Sequence, residues 1–130
     1  MLAFNRDRLP VVLLLSLQKQ SWCHGVYMGL LSGIREHARV MEATSESAAI
    51  PHLEDSAAHS VIVTDAAMVN GEFKNVSRKL VRYGKGGGIV VFAGLTSGLA
   101  RPNNLKKYFC NEWGLAWEMG SYRREVFSVN

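Results

Sequence analysis

The sequence has few cysteines, and the two that it has lie far apart. Cys23 and Cys110 form neither a CxxC pair nor a Cys/His set with the spacing of metal ligands. This spacing excludes a disulfide-rich scaffold and a zinc motif, so no metal site is predicted. We interpret both residues as reduced thiols of a cytoplasmic protein, with a single disulfide between them as the open alternative.

Long apolar runs are absent as well. The run at residues 11–17 follows Arg6 and Arg8, as in a short signal peptide, but it is too short to span a bilayer. No small-x-small cleavage site comes after it. We therefore predict that it is the central strand of a soluble intracellular protein rather than a targeting segment, and we predict no membrane association.

Charge is moderate and dispersed. The 130 residues carry a net charge of +4, and their basic side chains are not interleaved with aromatic ones. This pattern is typical of a mildly cationic globular surface and gives no reason to expect a nucleic-acid partner. Because 48% of the residues are apolar, the chain can bury a core, and we predict one α/β domain over residues 1–130.

Hydrophobic periodicity predicts alternating strands and helices. Strands are expected at residues 9–18, 39–43, 60–65, 89–93, 115–118 and 122–129, and helices at residues 25–38, 72–83 and 102–111. The segment 44–60 is expected to be a loop with one helical turn near residues 53–58. The alternation is typical of a three-layer fold in which a mainly parallel sheet lies between helices.

Side-chain patterns give more detail for two of the helices. In the first, Val26, Leu30 and Ile34 form a stripe that is expected to face the sheet. In the second, Asn70 is expected to cap the helix, and the glycine run at residues 84–88 is expected to end it. Its apolar face is Phe73, Val76, Leu80 and Tyr83.

The run from Ser60 to Asp65, the helix end Leu80-Val81-Arg82-Tyr83 and the segment Gly86-Gly87-Gly88-Ile89-Val90-Val91-Phe92 together resemble ThuA-like proteins. That family belongs to the class I glutamine amidotransferase-like group of flavodoxin-like α/β folds. The resemblance covers about residues 9–115 in the order of elements, and its specific motif is the glycine triplet before an apolar strand. It implies a ligand crevice at the carboxyl edge of the sheet.

The chain departs from this family in the turn that follows the glycine-rich strand. Amidotransferases of this fold carry a nucleophilic cysteine there, whereas this turn reads Gly94-Leu95-Thr96-Ser97-Gly98. It is not a G-x-S-x-G nucleophile elbow either, since the serine stands one place off. ThuA-like enzymes of sugar metabolism often have a histidine just after the strand, where this chain has Ala93-Gly94. We therefore expect no glutamine amidotransfer.

Three residues are candidates for catalysis. Ser97 would be a nucleophile if His24 or His59 reached it, and a turn serine bonded to its own backbone is the favoured alternative. His24 follows Cys23 near the same sheet edge, and a loop histidine is its simpler reading. Asp65 would be a base at the end of its strand, and capping of the following segment is the favoured role.

A second set of residues is a candidate for ligand binding. Gly94, Thr96, Ser97 and Gly98 would hold a small anion through backbone N–H groups, which needs only a glycine-permitted backbone. Arg101 would supply positive charge, although a solvated arginine is equally compatible with the sequence. No cofactor is predicted.

Two classes of function stay open on these grounds. One is a non-catalytic domain that binds a small anionic ligand or a protein partner, and the other is a divergent hydrolase, isomerase or lyase that uses the same crevice. We favour the first because no nucleophile–base pair is legible. We also expect a homodimer, because Gly29 and Gly33 would permit close packing of an apolar helix and because Trp113, Trp117 and Tyr122 make the C-terminal end aromatic.

Overall fold

The computed structural model describes residues 9–18, 23–55, 58–94, 96–120, 126 and 128. For residues 23–27, 97 and 98 the description covers the backbone alone. The elements follow one another as β1 (Val11–Leu15), α1 (Cys23–Arg35), β2 (Arg39–Ala43), α2 (Glu46–Glu54), β3 (Ser60–Val63), α3 (Lys74–Lys85), β4 (Ile89–Phe92), α4 (Thr96–Leu99) and α5 (Pro102–Trp113).

The four strands form one parallel sheet in the order β2-β1-β3-β4. β1 lies inside the sheet, with Leu13 opposite Met41 on one side and opposite Val61 on the other. All five of its residues are buried, as expected for a strand that is covered by helices on both faces. The strand prediction for residues 11–17 is therefore confirmed in its central part.

Two apolar layers cover the sheet, because alternate residues of β1 point to opposite faces. Val11, Leu13 and Leu15 belong to the larger layer, which also includes buried side chains of α2, α3 and α5. Val12 and Leu14 belong to a smaller layer that α1 completes through Leu31. The structure thus shows the predicted three-layer α/β class with a flavodoxin-like strand order.

The sheet is less fully covered than predicted near β4. Ile89 and Val91 are 61% and 43% exposed, whereas Val90 and Phe92 pack against the larger layer. Among the described helices, α1 alone supplies side chains to the smaller layer, and it packs against the β1–β2 half. The β4 end of that face therefore stays open within the described part of the chain.

The predicted inward stripe of α1 is also wrong in one position. Leu30 is 54% exposed, while Leu31 is buried and Ile34 is partly buried against β1. Since each helical residue turns by about 100°, Leu31 and Ile34 define the buried direction and Leu30 lies beside it.

The segment predicted as a loop after β2 is the helix α2. Ser45 precedes the helix, and its hydroxyl accepts a hydrogen bond from the Ala48 N–H at 3.3 Å. Ala49 and Leu53 are buried against the larger layer. The loop prediction rested on the small and polar residues of this segment together with Pro51, yet Pro51 stands inside α2. Packing of the apolar face outweighs the hydrogen bond that this proline cannot donate.

The helix α3 begins two residues later than predicted, and Asn70 is not its cap. The cap position is Phe73, which has the left-handed backbone angles φ 54° and ψ 51° and makes no side-chain cap bond. A bulky residue rarely adopts this conformation. The predicted apolar face is confirmed, since Val76, Leu80 and Tyr83 are buried and Phe73 is partly buried against the larger layer.

The C-terminal end differs from the predicted hairpin. α5 continues to Trp113 and ends at Gly114, whose φ of 69° confirms the predicted glycine stop. The predicted strand at residues 115–118 is wrong, because this segment has no strand pairing. Most of the predicted strand at residues 122–129 lies outside the described residues. None of the helices among the described residues has the length and apolar character that crossing a bilayer requires.

The glycine triplet has a packing reason at Gly88. The buried Tyr83 hydroxyl donates to the Ala58 carbonyl at 2.8 Å, which ties α3 to the start of β3. Burial raises the pKa of Tyr83, and a hydrogen bond with the Ile89 backbone opposes that rise. A Cβ atom at position 88 would lie 2.3 Å from Cε1 of the Tyr83 ring. Only glycine at position 88 lets the ring occupy this place.

We expect Gly88→Ala to lower the free energy of unfolding by about 1–3 kcal/mol, because the new methyl group displaces a buried ring. Gly120→Ala is the matched control, since a Cβ at position 120 meets no atom within 4 Å. Urea denaturation of both variants checks this. Equal stability of the two variants would contradict the packing role of Gly88.

Candidate functional site

The carboxyl edge of the sheet contains the position where α/β folds of this strand order bind ligands. The chain leaves β1 toward β2 on one side and later adds β3 on the other side. The connections therefore diverge between β1 and β3, and a crevice opens beyond the ends of these strands. The residues that follow them are Ser16 and Gln18 after β1, and Thr64 and Asp65 after β3.

Two hydroxyl groups meet at this point. The oxygens of Ser16 and Thr64 are 2.8 Å apart, and Thr64 Oγ1 also donates to the Leu15 carbonyl at 3.1 Å. Ser16 is buried. The sequence analysis missed this pair, although each hydroxyl residue directly follows an apolar strand. The pair connects the ends of the two inner strands.

Asp65 lies at the predicted edge and acts as an acceptor for backbone groups. One carboxylate oxygen accepts from the Gln18 N–H at 2.9 Å, and the other accepts from the Ala67 N–H at 3.1 Å. The residue is 5% exposed. Both oxygens are thus engaged within the protein, which confirms the capping role and opposes the role of a catalytic base.

The Gln18 side chain extends this set of contacts. Its amide Nε2 donates to Oε2 of Glu72 at 2.8 Å. The loop that follows β1 is thereby joined to the segment that follows β3 through both its backbone and its side chain. Holding two loops together is a structural task, and it leaves the carboxylates of Asp65 and Glu72 with protein partners.

The turn after β4 is built differently from the predicted anion cradle. Gly94 has a φ of 63°, which favours glycine, and the turn leads into the short helix α4. The hydroxyl of Thr96 is buried and lies 3.2 Å from the Val63 carbonyl and 3.1 Å from the Asp65 carbonyl. Its single proton serves these two oxygens. The Thr96 N–H, which was predicted to help hold an anion, donates to the Ala93 carbonyl at 3.2 Å.

Ser97 and Gly98 belong to α4, and the position of the Ser97 side chain lies outside the described part of the structure. The same holds for His24, which is the second residue of α1. The catalytic roles considered for His24 and Ser97 therefore stay predictions. Leu95, inside the same turn, lies outside the described residues as well.

Asn70 holds the turn that carries Arg101. Its Oδ1 accepts from the Arg101 backbone N–H at 3.0 Å, and its Nδ2 donates to the Leu99 carbonyl at 3.2 Å. Arg101 is exposed. Within the described part of the chain its guanidinium has no carboxylate partner within ion-pair distance. Arg101 thus presents an unneutralised cation at the start of α5.

The other histidine that was considered for Ser97 lies at the wrong end of the sheet. Nδ1 of His59 accepts from the Val11 N–H at 2.9 Å, and the His59 N–H donates to the Val11 carbonyl at 2.8 Å. Both bonds are at the amino edge, where β1 begins. His59 therefore cannot act on a residue that follows β4.

The described residues do not form a metal centre. No group of three His, Cys, Asp or Glu side chains among them is arranged to hold a metal ion. Cys110 is exposed and is not in a disulfide. Among the described residues, this edge offers a set of bonded loops, a glycine-containing turn and the exposed Arg101.

No protein-family model, curated protein or solved structure matches the chain.

We expect Asp65→Ala to lower the free energy of unfolding by about 2–3 kcal/mol, because two buried backbone N–H groups lose their acceptor. Asp55→Ala removes the same charge from an exposed position at the end of α2 and should cost less than about 0.5 kcal/mol. Urea denaturation gives both values. If Asp65→Ala were as stable as the unsubstituted protein, Asp65 would not hold the loops together.

Proposed function

We propose that the chain is a non-catalytic, ThuA-like domain of the class I glutamine amidotransferase-like group that binds a small anionic ligand. The proposed site lies beyond the carboxyl edge of the sheet and includes Arg101 and the backbone of residues 94–98. The observation that carries this proposal is a contrast among the described residues. Arg101 is an exposed cation without a carboxylate partner among them, whereas the polar residues Asp65 and Thr96 are engaged within the protein.

An anion is the ligand class that this contrast favours. A guanidinium with its N–H groups directed to solvent forms charge-assisted hydrogen bonds with carboxylates and phosphates. Gly94 permits the positive φ that backbone anion sites use, and it lies in the turn before α4. The net charge of +4 also favours the approach of anions over that of cations.

The enzymatic alternative, a hydrolase, isomerase or lyase, has less support. A catalytic Asp65 would need a carboxylate oxygen that is open to substrate, and both oxygens accept backbone hydrogen bonds. His59 is remote from the turn after β4. No observation among the described residues favours this alternative.

Titration of the labelled protein with inorganic phosphate at constant ionic strength, followed by amide NMR, tests the ligand proposal. We expect saturable shifts in residues 94–101 and about tenfold weaker binding for Arg101→Ala, which corresponds to one charge-assisted hydrogen bond. Lys106→Ala is the control, since it removes an equal charge from an exposed position on the same helix. Equal weakening by both substitutions, or no saturation, would refute the site.

We also propose that the protein forms a homodimer through the outer face of α1. Gly29 and Gly33 lie on this face, and a Cβ at either position would meet no atom within 4 Å. Met28 and Leu30 on either side of the glycines are 55% and 54% exposed. A two-fold pair would bury these side chains on both copies at once.

The aromatic C-terminal end does not support the dimer as the sequence analysis expected. Trp113 packs edge-to-face on Phe92 at 6.0 Å between ring centroids, and Trp117 lies 4.9 Å from Phe109. These rings therefore contact the chain's own core, although Trp117 stays 53% exposed. Tyr122 lies outside the described residues.

Light scattering at rising concentration tests self-association, and Gly33→Ala shows whether α1 is the interface. In the proposed dimer the methyl group prevents close approach of the helices, so the mass should fall toward the 14.4 kDa monomer. In a monomer the same change would only raise helix stability, by about 0.5–1 kcal/mol. A monomeric mass at all concentrations would reject the dimer.

A further inference from the structure

An open groove between α3 and α5 forms a cavity of about 310 Å³, which is within the size range of small-molecule sites. Ser77 and Tyr108 line it and are only 4% and 5% exposed. Charged side chains of both signs line it as well, namely Lys74, Lys107, Glu72 and Glu112. Neither the proposed anion site nor the dimer face includes this groove.

The buried polar groups here have more donors than acceptors. The Ser77 hydroxyl donates to the Tyr108 oxygen at 3.0 Å. The proton of the Tyr108 hydroxyl has no acceptor among the described residues. A buried donor without an acceptor is costly, and a molecule in the cavity that brings an oxygen would remove this cost.

The Tyr108 hydroxyl stays a donor at neutral pH. Burial raises the pKa of Tyr108, and the nearby negative charge of Glu112 raises this pKa further, whereas hydrogen bonds from Ser77 and Trp113 oppose the rise. The phenol is therefore protonated wherever the protein is folded near pH 7.

The start of α3 adds a second feature that suits a negatively charged group. Phe73 caps the helix in a left-handed conformation without a side-chain hydrogen bond, and the first turn has no acidic residue. Backbone N–H groups at such a helix start lack intrahelical partners and carry partial positive charge. The cavity extends to this end of α3, where Gly71, Glu72 and Lys74 line it.

The charges around the cavity select the ligand class. Lys74 and Lys107 would attract a carboxylate, while the carboxylate of Glu112 would repel a simple anion and attract an ammonium group. Glu72 already accepts a hydrogen bond from Gln18. A molecule that carries both charges a few ångströms apart satisfies this arrangement, and 310 Å³ is enough for a small one.

We propose that the groove between α3 and α5 binds a small zwitterionic amino acid. Its carboxylate accepts the hydrogen bond of the Tyr108 hydroxyl beside Lys107 and the start of α3, and its ammonium group lies toward Glu112.

Calorimetric titration with L-alanine, propionate and ethylamine tests the proposal, since the last two each lack one of the two charges. We expect saturable binding of L-alanine and at least tenfold weaker binding of either analogue. Binding of propionate as tight as that of L-alanine would overturn the zwitterion. Absence of saturable L-alanine binding would show that the cavity holds only water, and would overturn the site.

Tyr108→Phe removes the donor while keeping the ring, and we expect L-alanine binding to weaken about tenfold. Tyr83→Phe is the matched control. It removes a buried hydroxyl that already donates to the Ala58 carbonyl and does not line the groove, so L-alanine affinity should not change. Unfolding midpoints of both variants supply an independent measurement of folding, since each variant loses one buried hydrogen bond. Equal affinities in both variants would overturn the role of Tyr108.

Glu112→Gln keeps the test decisive if Tyr108→Phe does not fold, because position 112 is exposed. We expect weaker binding of L-alanine and tighter binding of propionate, which no general loss of structure would produce. Arg101→Ala should leave L-alanine binding unchanged, so failure of this site and failure of the proposed anion site are distinguishable. If Glu112→Gln changed the affinities for L-alanine and for propionate in the same direction, the proposal would be overturned.

Discussion

The structure depends on the burial of β1 between two neighbouring strands and two helix layers. All five residues of β1 are buried, and the strand pairs in parallel with β2 and with β3. Its odd-numbered side chains enter the core with α2, α3 and α5, and its even-numbered ones enter the core with α1. Apolar surface removed from water on both faces at once is the main favourable contribution to such a fold. β2 and β3 are positioned by direct pairing with this strand, and β4 is positioned by pairing with β3.

Because parallel strands end at a common edge, the loops that leave β1, β3 and β4 must be fixed relative to one another at that edge. Side chains do this work: Asp65 accepts from the loop after β1, and Thr96 donates to the carbonyls at the end of β3. Polar residues in a crevice are thus no sufficient sign of catalysis. A polar side chain that fixes loops differs from one that acts in catalysis in a single respect. The second still has an oxygen or a proton available after the hydrogen bonds of the backbone have been made.

The pattern of apolar residues was enough to predict the sheet and most of the helices. β2 was predicted with its observed bounds, and α5 was predicted with its first residue and its glycine stop. α2 escaped prediction because Pro51 and several small residues hide an apolar face whose value comes from tertiary contact. The left-handed Phe73 could not be predicted, since its conformation is imposed by packing against the core.

The location of Asp65 at the candidate site was predicted correctly, whereas the roles of the site residues were predicted only in part. Asp65 was expected at the carboxyl edge, and the capping role favoured for it is the observed one. Thr96 was expected to offer its backbone N–H to an anion, but this N–H donates to the Ala93 carbonyl. The reach of its hydroxyl to two further carbonyls depends on how β3 and β4 lie side by side. The Ser77–Tyr108 pair depends likewise on the approach of two helices, since these residues lie 31 positions apart in the chain. Local sequence patterns do not predict distances between residues that are far apart in the chain.

His59 shows how a side chain can continue a sheet beyond its last residue. Its backbone N–H and its imidazole Nδ1 bond to the carbonyl and the N–H of Val11, so a single residue satisfies both backbone groups where β1 enters the sheet. The imidazole takes the place of a peptide carbonyl. At the amino edge of a parallel sheet the ladder of hydrogen bonds would otherwise fray. Here one imidazole ring completes the hydrogen bonding of Val11, so no further strand residue is needed to do so.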